Sequence, residues 1–304
     1  MPRIRLIGLV ALLAVIPVAA RAVSPRDALV VTPAWLAQHL HDANLIVLHA
    51  GDKAEYDARH VPGARFVALD DIALTDREGK GDGLSLQVPA AEDLRMRLMA
   101  LGISDGSRIV VYPTARSLTS ATRILFTLDY AGLGDRASLL DGGLDGWVKS
   151  GHEVTTDVPA PRKGMLAPLK IRPEVVDADY VRAHLQAPKV AIVDARAPAF
   201  FDGTQTGNTL GRPHATGHIP GAHNVPYTQV VDAQGNLKPA EELAALFHQA
   251  GVQEGDTIVG YCHIGQQASA MIFAARTLGF AVLLYDGSFE DWSRRPGYAV
   301  EIKK

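Results

Sequence analysis

The sequence contains one cysteine, Cys262, among 304 residues. A single cysteine cannot form a disulfide within the chain, and it cannot supply the several thiolates of a cysteine-rich zinc site or an iron–sulfur cluster. The chain must therefore fold without a covalent cross-link. Two interpretations of Cys262 remain open at this point: an inert buried side chain, or a single functional thiol.

The chain also has no excess of positive charge. Its formal net charge is -3 and its isoelectric point is near 6.4, whereas a protein that binds nucleic acid by neutralising phosphates is usually basic. Nucleic acid is therefore not an expected partner. With 47% hydrophobic and 21% charged residues the composition is that of an ordinary globular protein. The length favours two domains of roughly 130–150 residues each.

No apolar run is long enough to be a typical membrane span. Two arginines near the N-terminus precede an apolar stretch over residues 6–20, and the small–x–small sequence Ala-Arg-Ala follows at residues 20–22. This layout predicts a signal peptide over residues 1–22, and an uncleaved anchor is the alternative. The mature protein is then expected in a periplasm or outside the cell, with no membrane segment after cleavage.

Three short phrases occur twice, in the same order, which predicts an internal duplication. The phrases are HVPGA at 60–64 and HIPGA at 218–222, IVVYP at 109–113 and IVGYC at 258–262, and DGGLDGW at 141–147 and DGSFEDW at 286–292. The predicted units are a domain over residues 25–157, a linker over 158–168 with prolines and a glycine, and a domain over 169–304. The second half carries extra residues around 203–217.

Each half alternates short apolar runs with amphipathic segments. The predicted strands are residues 45–49, 108–112, 190–194 and 257–261, and the predicted helices are 90–101, 120–128, 239–250 and 268–278. This alternation predicts an α/β fold in which helices flank a mainly parallel sheet in each domain. Ligands of such sheets bind beyond the carboxyl ends of the strands, and Cys262 follows a predicted strand directly.

The segment from Cys262 to Gln267 is predicted to be a loop that leads into a helix. Backbone N–H groups of such a loop, with the positive end of the helix behind them, form a cradle for an anion. Cysteines in this setting have a lowered pKa, so Cys262 is expected to be a nucleophile that is largely ionised at neutral pH. The equivalent residue of the first half is Pro113. Only one of the two halves can therefore perform thiol chemistry.

These phrases and the strand–cysteine–loop–helix segment resemble the rhodanese-type sulfurtransferases over essentially the whole mature chain. The resemblance implies a catalytically silent first domain and a second domain with the nucleophile Cys262. It also implies a substrate-binding loop, whose residues in this sequence are His263, Ile264, Gly265, Gln266, Gln267 and Ala268. Cys262 would take the outer sulfur of a donor such as thiosulfate, release sulfite, and pass the sulfur from a persulfide to cyanide or a thiol. No metal or organic cofactor is implied.

The chain departs from the family where many members have positive charges. The loop holds no arginine or lysine, so only His263 could become cationic, and Phe200 stands where some members place an arginine after the sequence Asp194-Ala195-Arg196. We expect thiosulfate to bind weakly, which leaves 3-mercaptopyruvate, a persulfide or a polysulfide as alternative donors. Whether Arg212 or His214 of the extra segment reaches the site is left open by the sequence.

Two alternatives to a sulfurtransferase, from other functional classes, remain. A cysteine-dependent phosphatase or arsenate reductase would need a longer loop that ends in arginine, and Gln267 argues against it. A non-enzymatic persulfide carrier would fit the lack of positive charge. The expected partners are a small-molecule sulfur donor and a thiophilic acceptor, and the expected state is a monomer. Arg196 is interpreted as a residue that ties the strand end to a carboxylate. Asp194 is interpreted as a buried hydrogen-bond acceptor, with a role in the site as the alternative.

Overall fold

The computed structural model describes residues 24–78, 83–114 and 118–303. The predicted signal peptide over residues 1–22 lies outside the described residues. Among the described residues, no helix has the length and apolar character that a membrane span needs.

The first half forms a five-stranded parallel sheet with the order β1-β5-β4-β2-β3. Its strands are β1 (Val30–Val31), β2 (Leu45–Ala50), β3 (Arg65–Val67), β4 (Arg108–Pro113) and β5 (Ala137–Leu140). Its helices are α1 (Pro25–Leu29), α2 (Pro33–His39), α3 (Lys53–Ala58), α4 (Ala91–Ala100), α5 (Leu118–Tyr130) and α6 (Gly143–Lys149), with short 3₁₀ turns at Leu69–Asp71 and Gly134–Arg136.

The second half forms another five-stranded parallel sheet with the order β10-β7-β11-β12-β6. Its strands are β6 (Val175–Val176), β7 (Val190–Asp194), β10 (His223–Asn224), β11 (Thr257–Tyr261) and β12 (Ala281–Tyr285), and a separate antiparallel hairpin consists of β8 (Asn208–Thr209) and β9 (Arg212–Pro213). Its helices are α7 (Ala178–Ala183), α8 (Pro198–Phe201), α9 (Ala240–Gln249), α10 (Gln266–Thr277) and α11 (Ser288–Trp292), with a 3₁₀ turn at Tyr227–Gln229.

The two sheets have the same topology, which confirms the predicted α/β fold with tandem domains. The likeness extends to single hydrogen bonds at the central strands. The hydroxyl of Tyr112, near the end of β4, accepts from the amide of Val61 at 3.1 Å, and the hydroxyl of Tyr261, at the end of β11, accepts from the amide of Ile219 at 3.1 Å. In both domains the HxPGA turn is therefore tied to the central strand by a buried tyrosine.

The predicted strands and helices agree with the observed ones to within about two residues, and one difference concerns the site. Helix α10 begins at Gln266 and not at Ala268, because Gly265, with φ of +84°, turns the chain directly into the helix. Gln266, Gln267 and Ala268 therefore belong to the first turn of α10, and the loop proper is the stretch 262–265.

The two domains pack against each other through α5 and α10. One cluster of buried apolar side chains has members in both domains, among them Ile124 of α5 and Met271 of α10. The hydroxyls of Thr122 and Ser269 hydrogen-bond across this contact at 3.2 Å. Because α10 begins at the cysteine loop, this packing places the first domain beside that loop.

Candidate active site

Cys262 lies immediately after β11 and is fully buried, with 0% of its surface exposed. Its amide donates to the hydroxyl of Ser288 at 3.3 Å, and its carbonyl oxygen accepts from the amide of Phe289 at 3.0 Å. The amide of Glu290 donates in the same way to the carbonyl of His263 at 3.0 Å. The start of α11, which belongs to the repeated DGS phrase, thus fixes the backbone of the cysteine loop.

The predicted N–H cradle is present around the thiol. Main-chain N–H groups of Ile264, Gln267 and Ala268 point at the sulfur of Cys262, and these hydrogen bonds lower its pKa. They come from the loop and from the first turn of α10, where backbone N–H groups have no partner within the helix. The arrangement suits a sulfur atom that carries negative charge.

The expectation of a largely ionised thiol is wrong for this conformation. Burial raises the pKa of the Cys262 thiol above its ordinary value, and the nearby charge of Asp194 acts in the same direction. The three N–H groups oppose this shift without cancelling it. The strand–loop–helix pattern revealed the donors, but it could not reveal that the sulfur would be shut off from water.

His263 does not provide a positive charge. Burial, together with the charge of Arg196, lowers the pKa of His263 to about 4, so its ring is neutral at pH 7. The ring meets that of Phe200 edge to face, with the centroids 4.7 Å apart. Phe200 therefore covers the histidine where some family members are expected to place an arginine.

The extra segment of the second half folds as the β8–β9 hairpin beside the loop. His214 follows this hairpin, with its Nδ1 3.4 Å from Nδ1 of His263 and its Nε2 2.9 Å from Oγ1 of Thr209. Burial, followed by the effect of His263, lowers the pKa of His214 to about 4. Arg212 reaches the other way, and its Nη2 donates to the carbonyl of Gly83 in the first domain at 2.5 Å. His214 thus reaches the loop as a neutral ring, whereas Arg212 hydrogen-bonds to the first domain.

Ile264 and Gln266 face the first domain. They line a cleft of about 430 Å³, together with Ser85, Leu86 and Thr209 among others. Nε2 of Gln266 also donates to the hydroxyl of Ser120 at 3.2 Å. The side chains of two predicted loop residues therefore border a cavity between the domains, while Cys262 itself is covered.

Asp194 and Arg196 form a buried ion pair, so the carboxylate that Arg196 was expected to bind is that of Asp194. Nε of Arg196 donates to Oδ1 of Asp194 at 3.0 Å, and Nη2 donates to Oδ2 at 2.6 Å. Nη2 also donates to the carbonyl of Gly217 at 2.8 Å, and the guanidinium lies 4.0 Å from the ring centroid of Phe289. With its donors engaged in this way, Arg196 braces the end of β7 and the packing of α11.

Sequence reasoning missed the residues that join this site to the first domain. Asp286 and Glu290 belong to a phrase that was recognised only as a signature, and Arg123 stands in no motif. Arg123 donates to Oδ1 of Asp286 at 2.7 Å, and the amide of Ser85 donates to Oε2 of Glu290 at 2.8 Å. Both carboxylates have an acidic counterpart in the first copy, Asp141 and Asp145, so comparison of the two phrases gave no signal that they join the domains.

The structure offers no cluster for a metal among the residues it describes, since no three histidine, cysteine or acidic side chains come together in a ligand-like group. In the first domain, Pro113 ends β4 at the place where Cys262 follows β11. Thr114 donates from its hydroxyl to the carboxylate of Glu55. The corresponding place of the first domain thus has no thiol to attack a substrate.

Comparison with known proteins agrees with the duplicated architecture. A model of the rhodanese-like domain matches residues 32–150 and again residues 177–295. Thiosulfate/3-mercaptopyruvate sulfurtransferase 2 of Arabidopsis thaliana is 32% identical over 302 residues, which covers 89% of this chain and 86% of that protein. Sulfur carrier protein TtuD of Thermus thermophilus is 31% identical, covering 88% of this chain and 94% of that protein.

A solved structure supports the same conclusion. The crystal structure of SseA from Escherichia coli, described as a 3-mercaptopyruvate sulfotransferase, has a TM-score of 0.70 at 28% identity and covers 85% of this chain and 97% of its own. Both halves match one domain model, and the similarity to these proteins extends over most of the chain. The chain therefore belongs to the rhodanese family of sulfurtransferases, as a member with two domains in tandem.

Proposed function

We propose that this protein moves sulfane sulfur from a small donor such as thiosulfate to a thiophilic acceptor, through a persulfide on Cys262. The observation that supports this most directly is the place of the only thiol, which follows a central strand and faces three main-chain N–H groups. Such a cradle stabilises negative charge on sulfur without a metal or an organic cofactor. The loop residues 263–268 are proposed to surround the transferred sulfur atom.

In the first step the Cys262 thiol loses its proton and the thiolate attacks the outer sulfur of thiosulfate. A sulfur–sulfur bond forms, the bond within thiosulfate breaks, and its electron pair leaves with sulfite, which takes up the thiol proton and departs as hydrogen sulfite. Because the thiol pKa is raised in the closed pocket, the proton must leave before or during the attack. Ionisation is therefore part of the barrier of this step.

In the second step an acceptor attacks the outer sulfur of the Cys262 persulfide. The acceptor takes that sulfur, the sulfur–sulfur bond to Cys262 breaks, and its electron pair returns to Cys262 as a thiolate. Cyanide becomes thiocyanate, and a thiolate becomes a persulfide. The N–H groups of Ile264, Gln267 and Ala268 stabilise the returning thiolate, so they serve both halves of the cycle.

3-Mercaptopyruvate is the second candidate donor, and the charge of the site favours it. His263 and His214 are neutral at pH 7, and Arg212 is engaged with Gly83. A doubly charged donor therefore lacks these positive contacts, whereas 3-mercaptopyruvate has a single carboxylate. Attack on its thiol sulfur would break the carbon–sulfur bond, and the resulting enolate would take up the thiol proton to give pyruvate.

A persulfide carrier is a further candidate, because full burial would protect a persulfide on Cys262 from solvent. We also propose that residues 1–22 are removed on export and that the protein works as a monomer in a periplasm or outside the cell. The N-terminal sequence of protein recovered from the secreting host tests the first point. Light scattering tests the second.

Steady-state kinetics with thiosulfate and with 3-mercaptopyruvate, both with cyanide as acceptor, test the enzyme proposal. We expect turnover with at least one donor, a higher kcat/KM for 3-mercaptopyruvate, and no turnover in Cys262→Ser. A Cys262 persulfide that forms but is passed on no faster than it decays in buffer would favour the carrier. Full activity in Cys262→Ser would overturn the proposal.

A further inference from the structure

One side chain of the first domain lies directly behind the cysteine loop. Arg123 of α5 is fully buried, with 0% of its surface exposed. Its Nη2 donates to Oδ1 of Asp286 at 2.7 Å and to the carbonyl of Leu86. Its Nε and Nη1 have no hydrogen-bond partner among the residues that the structure describes. A buried guanidinium with unused donors costs folding free energy, so its retention calls for a reason.

The unused Nη1 of Arg123 points at the turn that starts α10. A Cβ atom placed on Gly265 would lie 2.8 Å from this Nη1 and 3.5 Å from the carbonyl oxygen of Asp286. Gly265 also has φ of +84°, a conformation that residues with a side chain rarely adopt. The guanidinium therefore packs closely on the backbone of the turn that orients the N–H groups of Gln267 and Ala268.

Asp286 connects the same arginine to the cysteine from the other side. Its Oδ2 accepts from the amide of Val88 at 2.7 Å, and its carbonyl accepts from Nε2 of Gln87 at 3.1 Å. Two residues later in the chain, the hydroxyl of Ser288 accepts from the amide of Cys262. Arg123 thus touches the loop at Gly265 and, through Asp286, holds the segment that binds the backbone of Cys262.

We propose that Arg123, supplied by the domain without the cysteine, is a positioning residue for sulfur transfer at Cys262. Its guanidinium fixes the turn at Gly265 and the DGS segment at Asp286, so that the N–H cradle is formed around the sulfur. Its positive charge lies behind the loop, on which negative charge appears when the thiol ionises. This inference rests on the proposed role of Cys262. It gives the silent domain a part in the reaction that the cysteine position alone does not show.

Several charged groups act around the loop and have to be separated in a test. Asp194 and Arg196 belong to the second domain and form their own pair. Glu290 of α11 is paired with Arg294 at 2.6 Å. His263 is neutral at pH 7. Arg123 and Asp286 form the ion pair that joins the two domains behind the loop. Replacing each of these two residues singly therefore tests the proposed role of Arg123.

The test compares Arg123→Met, Arg123→Lys and Asp286→Asn with the wild-type protein. Three quantities are measured: the single-turnover rate of persulfide formation, the pH dependence of Cys262 alkylation by iodoacetamide, and the midpoint of urea unfolding. Arg276→Met is the matched control, because Arg276 pairs with Asp129 across the same helix contact at the far end of α10. All variants are made in the full chain.

We expect Arg123→Met to slow persulfide formation by about ten-fold or more and to move the alkylation midpoint upward by about one pH unit, since a lost charge raises a thiol pKa. Arg123→Lys should recover part of both effects. Asp286→Asn should slow persulfide formation without the upward shift, because the arginine charge remains. Arg276→Met should leave the rate of persulfide formation within about two-fold of wild type, and the alkylation midpoint within about 0.2 pH units of it.

The inference would be overturned if Arg123→Met had the alkylation profile of the wild-type protein and if its persulfide formation slowed only in proportion to the loss of folded protein. Arg123 would then be a packing residue. An equal effect of Arg276→Met would overturn it as well. Alkylation needs no sulfur donor. If the wild-type protein took up no sulfur, the proposed function would fail, while the alkylation profiles would still decide the role of Arg123.

Discussion

Arg196 and Asp194 form a bidentate ion pair at the end of β7, and both side chains are buried. Nη2 of Arg196 lies 2.6 Å from Oδ2 of Asp194. In the first sheet the residue that pairs with the central tyrosine is His49, whereas in the second sheet it is Asp194. The half that contains Cys262 therefore holds a charged pair where the other half holds a neutral ring, since burial lowers the pKa of His49 to about 4.

Replacing Asp194 with alanine is expected to lower the free energy of unfolding by about 3–5 kcal/mol, because the buried guanidinium loses its counter-ion. Arg196→Met should cost a similar amount. The double variant should be more stable than the sum of the two losses implies. Urea unfolding checks this, and a loss below about 1 kcal/mol in Asp194→Ala would show that the pair is not needed for stability.

The reactivity of Cys262 should rise with pH well beyond neutrality. Burial raises the thiol pKa, so the folded protein keeps the proton at pH 7 and the thiolate fraction grows only near and above the ordinary value of about 8.5. Alkylation rates measured from pH 6 to 10 check this. A plateau reached below pH 7 would mean that the thiol is ionised at neutral pH, as the sequence alone suggested.

Acidification should destabilise the protein through the buried histidines beside the loop. The pKa of His214 is about 4 in the folded chain and about 6.5 in an unfolded one. The unfolded state therefore binds the proton first, and the free energy of unfolding falls as pH drops from about 6.5 to 4. His214→Phe should make this fall less steep, whereas His248→Gln, which changes an exposed histidine, should not.

Glu174 should have the opposite effect to His214, because it lowers the free energy of unfolding as pH rises. Burial and the neighbouring Asp129 raise its pKa to about 7, so the folded protein holds a proton that the unfolded chain releases above about pH 4.3. Its contribution to stability is present below that pH and is lost as pH rises through about 7. At pH 8, Glu174→Gln is expected to be more stable than wild type by about 1–3 kcal/mol.

The matched control for this prediction is Glu241→Gln, which changes an exposed carboxylate in α9. Thermal unfolding of both variants at pH 5 and pH 8 gives the comparison. A stabilisation of Glu174→Gln that is the same at both pH values would show that Glu174 does not titrate in this range.

Much of the fold could be predicted from the sequence because the informative residues are local. The apolar runs at 190–194 and 257–261 are buried parallel strands as predicted. The repeated phrases showed that a second copy of the same topology follows the first. The start of α10 was misplaced by two residues because Gly265 was interpreted as part of a longer loop and not as the residue that begins the helix.

The site was predicted only as far as its own strand and loop. Cys262 and its N–H donors follow from that local pattern, but the raised thiol pKa depends on burial by residues distant in sequence. Arg123 lies 139 positions from Cys262 and belongs to the other domain, so no local pattern points to it. The neutral state of His263 has the same origin, since burial is the main cause of its lowered pKa.

Sulfur transfer through Cys262 is best tested by the intact mass of the protein before and after incubation with thiosulfate or 3-mercaptopyruvate, and then with cyanide. We expect a gain of one sulfur atom, about 32 Da, that cyanide removes and that Cys262→Ser does not show. Absence of any gain with either donor, in a protein whose Cys262 still reacts with iodoacetamide, would contradict sulfur transfer through Cys262.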